Sequence, residues 1–382
     1  MTFDFDQVFE RHGTGSTKWS RYPAEVLPMW VADMDFAAPP VVIDALRKRL
    51  EHPMLGYSVA QDNLRAAIVA DLWNKYAWRV EPQQIVFLPG VEPGFNMALH
   101  ALVEPQQNVV VQVPNYPPLR NAPGNWGLKK VELAFNPLNG EFQTDLTGLK
   151  AALHGGGALL LSNPHNPLGK VFGHSELKAV ADICVEQDAW IISDEIHAEL
   201  CFDGRKHIPT ATLGAEIAER TITLMSASKA YNIAGLKTSF AIIQNAKLRE
   251  RVNSARAGMV DSVNALGLEA TRAAYSEAGP WLEALKTYLQ ANRDYLVEAV
   301  KTRLPGITMT VPQGTYLAWL DCSGLGLDDP QGFFLKQAQV GLSAGLDFGD
   351  DAGQFVRLNF GCPRALLEEG IARMERSLKA RT

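Results

Sequence analysis

The chain has 382 residues, with 36 Lys plus Arg against 42 Asp plus Glu and a formal net charge of −6. Hydrophobic residues make up 47% and charged residues 20%, a composition that argues against long-range disorder and for two domains rather than one core. The mild acidity argues against a nucleic-acid partner, and no apolar run approaches the ~18 residues that cross a bilayer.

The N-terminal segment, Met-Thr-Phe-Asp-Phe-Asp-Gln-Val-Phe-Glu, is acidic and lacks the basic segment and apolar core of a signal peptide. The stretch through about residue 40 is expected to pack with a small C-terminal domain. The next 240 or so residues alternate apolar strand patterns with helical ones. Strands are expected at Ile85–Leu88, Val109–Val113, Val131–Phe135, Leu159–Ser162, Trp190–Ser193, Thr221–Met225 and Phe240–Ile243. Between two of them, Leu177, Val180, Ala181 and Cys184 carry the one-face spacing of a helix over Ser175–Gln187. Long helices follow from about residue 245, one of them opening at Pro280 and reaching about Arg303. The rest reads as strands near Thr308–Val311, Thr315–Leu320 and Phe355–Leu358, a helix near Gln331–Gln339 and a last helix from Pro363.

The expected architecture is α/β: a mostly parallel sheet flanked by helices, with a smaller α+β domain. Its divisions are an N-terminal segment of residues 1–40 packing with the small domain, a large domain of residues 41–280 and a small domain of residues 281–382. The four cysteines (Cys184, Cys201, Cys322, Cys362) lack zinc-ligand spacing. Neither a disulfide scaffold nor a metal site is expected, and the location expected is the cytoplasm.

Open parallel sheets bind ligands beyond the carboxyl ends of their strands, and five polar clusters fall there. They are Pro89–Gly94, Asn115–Pro118, Asn163–Gly169, Asp194–His197 and Ser226–Lys229. A lone lysine is most often a solvated surface charge. Lys229, however, lies between an apolar strand and Ile233-Ala234-Gly235-Leu236, with serines at −3 and −1. A lysine held in such a pocket is a candidate for covalent attachment to a carbonyl. An aspartate closing the strand Trp-Ile-Ile-Ser is costly to bury without a cation. A protonated pyridine nitrogen is one such cation, and pyridoxal phosphate enzymes use one Lys and one Asp in this way.

Four motifs carry a resemblance: Met29-Trp30-Val31-Ala32-Asp33-Met34-Asp35-Phe36, Ser162-Asn-Pro-His-Asn-Pro-Leu-Gly169, Ser193-Asp-Glu-Ile-His197 and Ser226-Ala-Ser-Lys-Ala-Tyr-Asn-Ile-Ala-Gly-Leu-Lys237. Over essentially its whole length the chain resembles the fold-type-I pyridoxal phosphate enzymes, the aspartate aminotransferase superfamily. Within it the chain is most similar to the MalY/PatB-like branch of cystathionine β-lyases and cysteine-S-conjugate β-lyases. The resemblance implies that Lys229 holds the cofactor and later moves a proton, that Asp194 pairs with the pyridine nitrogen and that Asn166 donates to the phenolic oxygen. Tyr116 would lie on the ring face. The phosphate would rest on the amides of Val91 and Glu92, with Ser226, Ser228 and Lys237 around it. Arg357 would clamp the substrate carboxylate beside Ala32, Tyr116 and Asn166. Tyr57 would reach the cofactor phosphate of a neighbouring subunit, which implies a homodimer.

Two positions depart from many relatives. His197 stands where a tyrosine is common, and its ring either contacts the cofactor or supports Asp194. Lys237 stands where arginine is common and supplies charge without a bidentate grip. The branch implies α,β-elimination from cystathionine or a related cysteine S-conjugate; the alternative is an aminotransferase of broad specificity. The sequence carries no sign of a membrane or nucleic-acid partner.

Overall fold

Short apolar runs build the larger sheet. In the computed structural model, which describes residues 3–138, 141–260 and 262–381, its strands are β1 (Ile85–Leu88), β2 (Asn108–Val113), β3 (Lys129–Ala134), β4 (Gly157–Ser162), β5 (Ala189–Asp194), β6 (Thr221–Met225) and β7 (Ser239–Ile242). Their order is β1-β7-β6-β5-β4-β2-β3. Strands β2 to β6 pair in parallel, whereas β7 is antiparallel to both β1 and β6. Every residue of β1, β4, β6 and β7 is buried, as strands covered on both faces must be. The edge strand β3 instead exposes Lys129 and Lys130, charges that discourage pairing with another chain.

Helices cover this sheet: α1 (Asp62–Tyr76), α2 (Val91–Leu102), α3 (Pro117–Asn125), α4 (His174–Glu186), α5 (Ala227–Ala230) and α6 (Ala265–Glu277). Helix α4 buries Leu177, Val180, Ala181 and Cys184, the face that their spacing marks. Helix α2 lays Phe95, Ala98, Leu99 and Leu102 into the cluster holding Val86, Val109, Ile222 and Leu224. A Cβ at Gly94 would stand 2.7 Å from Leu224 Cδ2. Glycine there lets the first turn of α2 lie directly on the sheet.

The chain divides into two compact units: Ala38–Pro164 with Val171–Leu282, and the stretch through Ala37 with His165–Lys170 and the residues from Glu283 on. The first holds the sheet just described. The second holds β8 (Thr308–Met309), β9 (Leu317–Asp321), β10 (Ser343–Ala344) and β11 (Phe355–Asn359), antiparallel in the order β8-β9-β11-β10. It also holds most of α7 (Gly279–Arg303) and all of α8 (Arg364–Lys379), whose Leu367, Ile371, Met374 and Leu378 are buried. Leu27–Pro28 pairs in parallel with Val340–Gly341 and ties the N-terminal stretch into this unit.

Three local expectations shift. The strand expected from Thr315 begins at Leu317, because Thr315 is at φ 67° and outside extended backbone. The strand near Thr308 pairs over only two residues before the chain reaches Pro312. The helix expected over 331–339 is a single α turn, Pro330–Phe333, continued as a π turn, Phe334–Ala338. Asp329 starts it by accepting the Gly332 amide at 2.8 Å, and Gln339 at φ 54° ends it. No helix among the described residues is long and apolar enough to cross a membrane.

Candidate active site

Parallel pairing places the carboxyl ends of β2, β4, β5 and β6 on one edge of the larger sheet, and β1, antiparallel to β7 as β6 is, ends on the same edge. The antiparallel strand β7 puts its start there instead. That inversion brings Lys237, two residues before β7, to the edge that also carries Val91, Glu92, Tyr116, Asp194, His197, Ser226, Ser228 and Lys229.

Along this edge, α2 starts at Val91 and offers the amides of its first turn, a ready anion site. Ser226 caps α5, its Oγ accepting the Ser228 amide at 3.0 Å and lying 2.7 Å from the Ser228 hydroxyl. The Thr238 carbonyl lies 2.6 Å from Ser226 Oγ, so the serines and the turn carrying Lys237 form one assembly. The start of α6 holds that turn from its other side. Asn264 donates to the Leu236 carbonyl at 2.7 Å, and a Cβ at Gly267 would fall 1.9 Å from Thr238 Oγ1.

Asp194 closes β5 and is buried. The Ile196 amide donates to its Oδ1 at 3.1 Å. Burial pushes its pKa from 3.8 up to about 7, against the opposing pull of that amide and of the Lys229 charge. A buried carboxyl in this condition is one that a cation would return to its charged form. Tyr116, half-buried, is the N-cap of α3, and His197 is buried in the turn after β5.

Glu195, which the sequence placed in the Asp194–His197 cluster without a supporting role, anchors the Asp194 turn. Its Oε2 lies 2.6 Å from His207 Nε2, and Oε1 accepts from Ser193 Oγ at 2.8 Å and from the Thr210 amide at 3.0 Å. Both side chains of the Glu195–His207 pair are fully buried.

The second unit gathers the other expected residues. Arg357, on β11, is in register with Trp319 and Ser343. Its Nη1 donates to Asn166 Oδ1 at 2.8 Å, its Nη2 to the Trp30 carbonyl at 2.7 Å and to Ser343 Oγ at 3.3 Å. Arginine is a donor only, so Asn166 turns its oxygen to Arg357 and keeps its amide nitrogen for an acceptor. The carbonyls around Ala32 are fixed one by one: Asn359 Nδ2 donates to Val31 at 2.7 Å and Asp33 at 2.8 Å, and the Tyr316 hydroxyl to Ala32 at 3.0 Å. Lys18, wholly buried, holds Asp35 at 2.6 Å and the Asp33 carbonyl at 2.9 Å, while Arg11 pairs with both aspartates. The sequence reading missed these supports. Asn359 carried a signal: two residues beyond Arg357 in a strand, it shares that residue's face. Lys18 and Tyr316 carried none.

The His165–Lys170 loop lies in this unit too, with the Gly169 carbonyl accepting from the Gln313 and Gly314 amides at 2.8 and 3.0 Å. His165 is wholly buried there. Burial and then the Lys170 charge push its pKa down to about 3, so it is neutral and only weakly basic near pH 7, which fits a loop-packing role.

Comparison with known proteins agrees with this arrangement. The family model described as aminotransferase class I and II matches residues 24–374. The cystathionine β-lyase PatB of Bacillus subtilis is 37% identical, over 98% of this chain and 100% of its own. The crystal structure of OvoB superposes with a TM-score of 0.95 at 43% identity, covering 99% of this chain and 100% of the other. The pyridoxal phosphate-bound C–S lyase of Staphylococcus hominis does so with a TM-score of 0.93 at 32% identity, covering 98% and 99%.

Proposed function

Since the chain belongs to the aminotransferase class I and II family, we propose that it is a pyridoxal phosphate-dependent carbon–sulfur β-lyase. Its substrates are cystathionine or related L-cysteine S-conjugates, which with one water yield a thiol, pyruvate and ammonia. The observation that carries the choice of β-elimination is the match, along the whole of both chains, to a cystathionine β-lyase and a C–S lyase.

The residues present fit the cofactor. Asp194 is a buried carboxyl whose raised pKa invites a pyridinium partner, and Val91, Glu92, Ser226, Ser228 and Lys237 supply the donors and charge that a phosphate requires. When bound, pyridoxal phosphate supplies the electron sink for a carbanion at the substrate Cα.

The chain's own groups do the rest. Lys229 Nζ holds the cofactor and then carries the α-proton. Asp194 keeps the ring nitrogen protonated, and the Asn166 amide nitrogen, free to face away from Arg357, donates to the ring oxygen. Tyr116 covers the ring and excludes water. Arg357 presents a plane already set by Asn166, Trp30 and Ser343 to the α-carboxylate, and this fixes the direction of the Cα–H bond. His197 supports the Asp194 turn or touches the cofactor.

The enzyme is proposed to work as a cytoplasmic homodimer in which Tyr57 serves the neighbouring subunit's site. What supports this is the surface around Tyr57, which is itself wholly exposed while Met54, Leu55 and Val59 are more than half exposed. Large apolar side chains in succession are a surface that monomers seldom leave in water.

The deciding experiment supplies purified holoenzyme with L-cystathionine and no keto acid. Equal amounts of thiol, pyruvate and ammonia over many turnovers are expected. Turnover that needs a keto-acid acceptor would overturn the lyase in favour of an aminotransferase.

A further inference from the structure

A second charged cluster lies in the larger-sheet unit, centred on α1. Lys75 Nζ is 2.8 Å from Asp71 Oδ1, 3.6 Å from Glu199 Oε1 and 3.4 Å from the Tyr231 hydroxyl. It also stands 5.9 and 5.6 Å from the ring centroids of Tyr231 and Tyr275. The Lys75 side chain is 28% exposed, whereas that of Glu199 is 2% exposed and Tyr231 is fully buried. Burial by itself would lower the pKa of Lys75, but Glu199, Tyr231 and Asp71 outweigh it and hold the ammonium charged. Burial raises the pKa of Glu199, and the Lys75 charge opposes that rise. Tyr76 and Tyr275 face the same cluster, and burial pushes both hydroxyls up.

The sequence positions of the partners give this cluster its meaning. Glu199 stands five residues beyond Asp194, and Tyr231 two beyond Lys229. Both connections are taut. The Ala198 amide bonds to the Glu195 carbonyl at 3.0 Å, Leu200 to His197 at 2.9 Å, and Tyr231 to Ala227 at 3.0 Å. One ammonium therefore ties the segment carrying the aspartate to the segment carrying the lysine.

We propose that Lys75 is a positioning residue for the elimination, joining Glu199 to Tyr231 and so setting the span between Asp194 and Lys229. Those two groups would serve one cofactor, Asp194 at its ring nitrogen and Lys229 at its aldehyde carbon. A displacement of about 1 Å at a reacting group costs up to a hundredfold in rate. This inference rests on the roles assigned above to Asp194 and Lys229.

The test uses the holoenzyme with Lys75→Gln and Lys75→Arg. In Lys75→Gln, cofactor content and the visible absorbance should persist. The pH midpoint of that absorbance should move by at least about 0.5 unit, since the electrostatics and geometry of the lysine have changed. For L-cystathionine, kcat should fall about tenfold to a hundredfold while KM stays within about twofold. Lys75→Arg restores the cation and should return both quantities toward the native values. A lower melting temperature with native midpoint and native kcat would overturn the proposal. Should Lys75→Gln not fold, Glu199→Gln and Tyr231→Phe undergo the same measurements, and native values in both would overturn it equally. Failure of the underlying roles has a separate signature, a visible absorbance that survives Lys229→Ala.

Discussion

Arg357 donates to Asn166 at 2.8 Å across 191 positions of sequence, so the residue assigned to the substrate carboxylate also orients the residue assigned to the cofactor oxygen. Arg357→Lys keeps the charge but loses the plane that bonds Asn166, Trp30 and Ser343 together. It should raise KM for L-cystathionine and lower kcat as well, cutting kcat/KM about a hundredfold. Steady-state kinetics against a set of thioethers checks this; a change confined to KM would show that Asn166 keeps its orientation without Arg357.

Lys229→Ala should remove the visible absorbance of the lysine-bound cofactor and nearly all turnover. No other lysine among the described residues lies on α5 beside the serines that close β6. Absorbance spectra of the purified variant, read beside its cofactor content, settle the point.

Asp194→Ala should reduce kcat by at least about 10²-fold, the scale on which loss of one preorganised charged group acts. Native turnover with full cofactor content would move the role to another acid.

Asp194 also sets a pH dependence in the cofactor-free protein. Its folded pKa of about 7 lies above the ordinary 3.8, with burial the cause. Below about pH 4 the carboxyl is protonated whether folded or not, and it costs nothing. As pH rises from 4 to 7 the unfolded chain ionises freely while the folded one resists, so stability falls, and above 7 the loss is complete. Thermal melts of stripped protein should show that fall, on the order of a few kcal/mol, and Asp194→Asn should flatten it. An equally steep fall in the variant would assign the effect to other groups.

His207→Leu takes the ring from Glu195 Oε2 and leaves the buried carboxylate with only the Ser193 and Thr210 donors. Removing one hydrogen-bond partner from a buried polar group costs about 1–3 kcal/mol, so chemical denaturation should show a loss of that size. Glu195→Gln, which keeps the hydrogen-bonding shape, should lose less. Equal losses would assign the effect to packing.

Sequence alone was enough for the parts of this protein that depend on local pattern. The apolar runs marked all seven strands of the larger sheet within two residues, because a strand buried on both faces leaves no room for polar residues. Leu177, Val180, Ala181 and Cys184 marked α4 by the same logic, and Lys229 and Asp194 stood out as charges beside apolar runs. What the pattern could not carry were relations across the chain. The antiparallel insertion of β7 decided that Lys237 lies at the sheet edge that also carries Ser226 and Ser228. Pairing at 2.6 Å made Lys18 and Asp35 the support of the Ala32 segment, and three close neighbours made Lys75 a link between Glu199 and Tyr231. A side chain's propensity is a property of its neighbours along the chain, whereas a buried charge finds its partner only where the chain folds back. That choice is made by burial and Coulomb attraction at a few ångströms, and nothing in residue spacing records it.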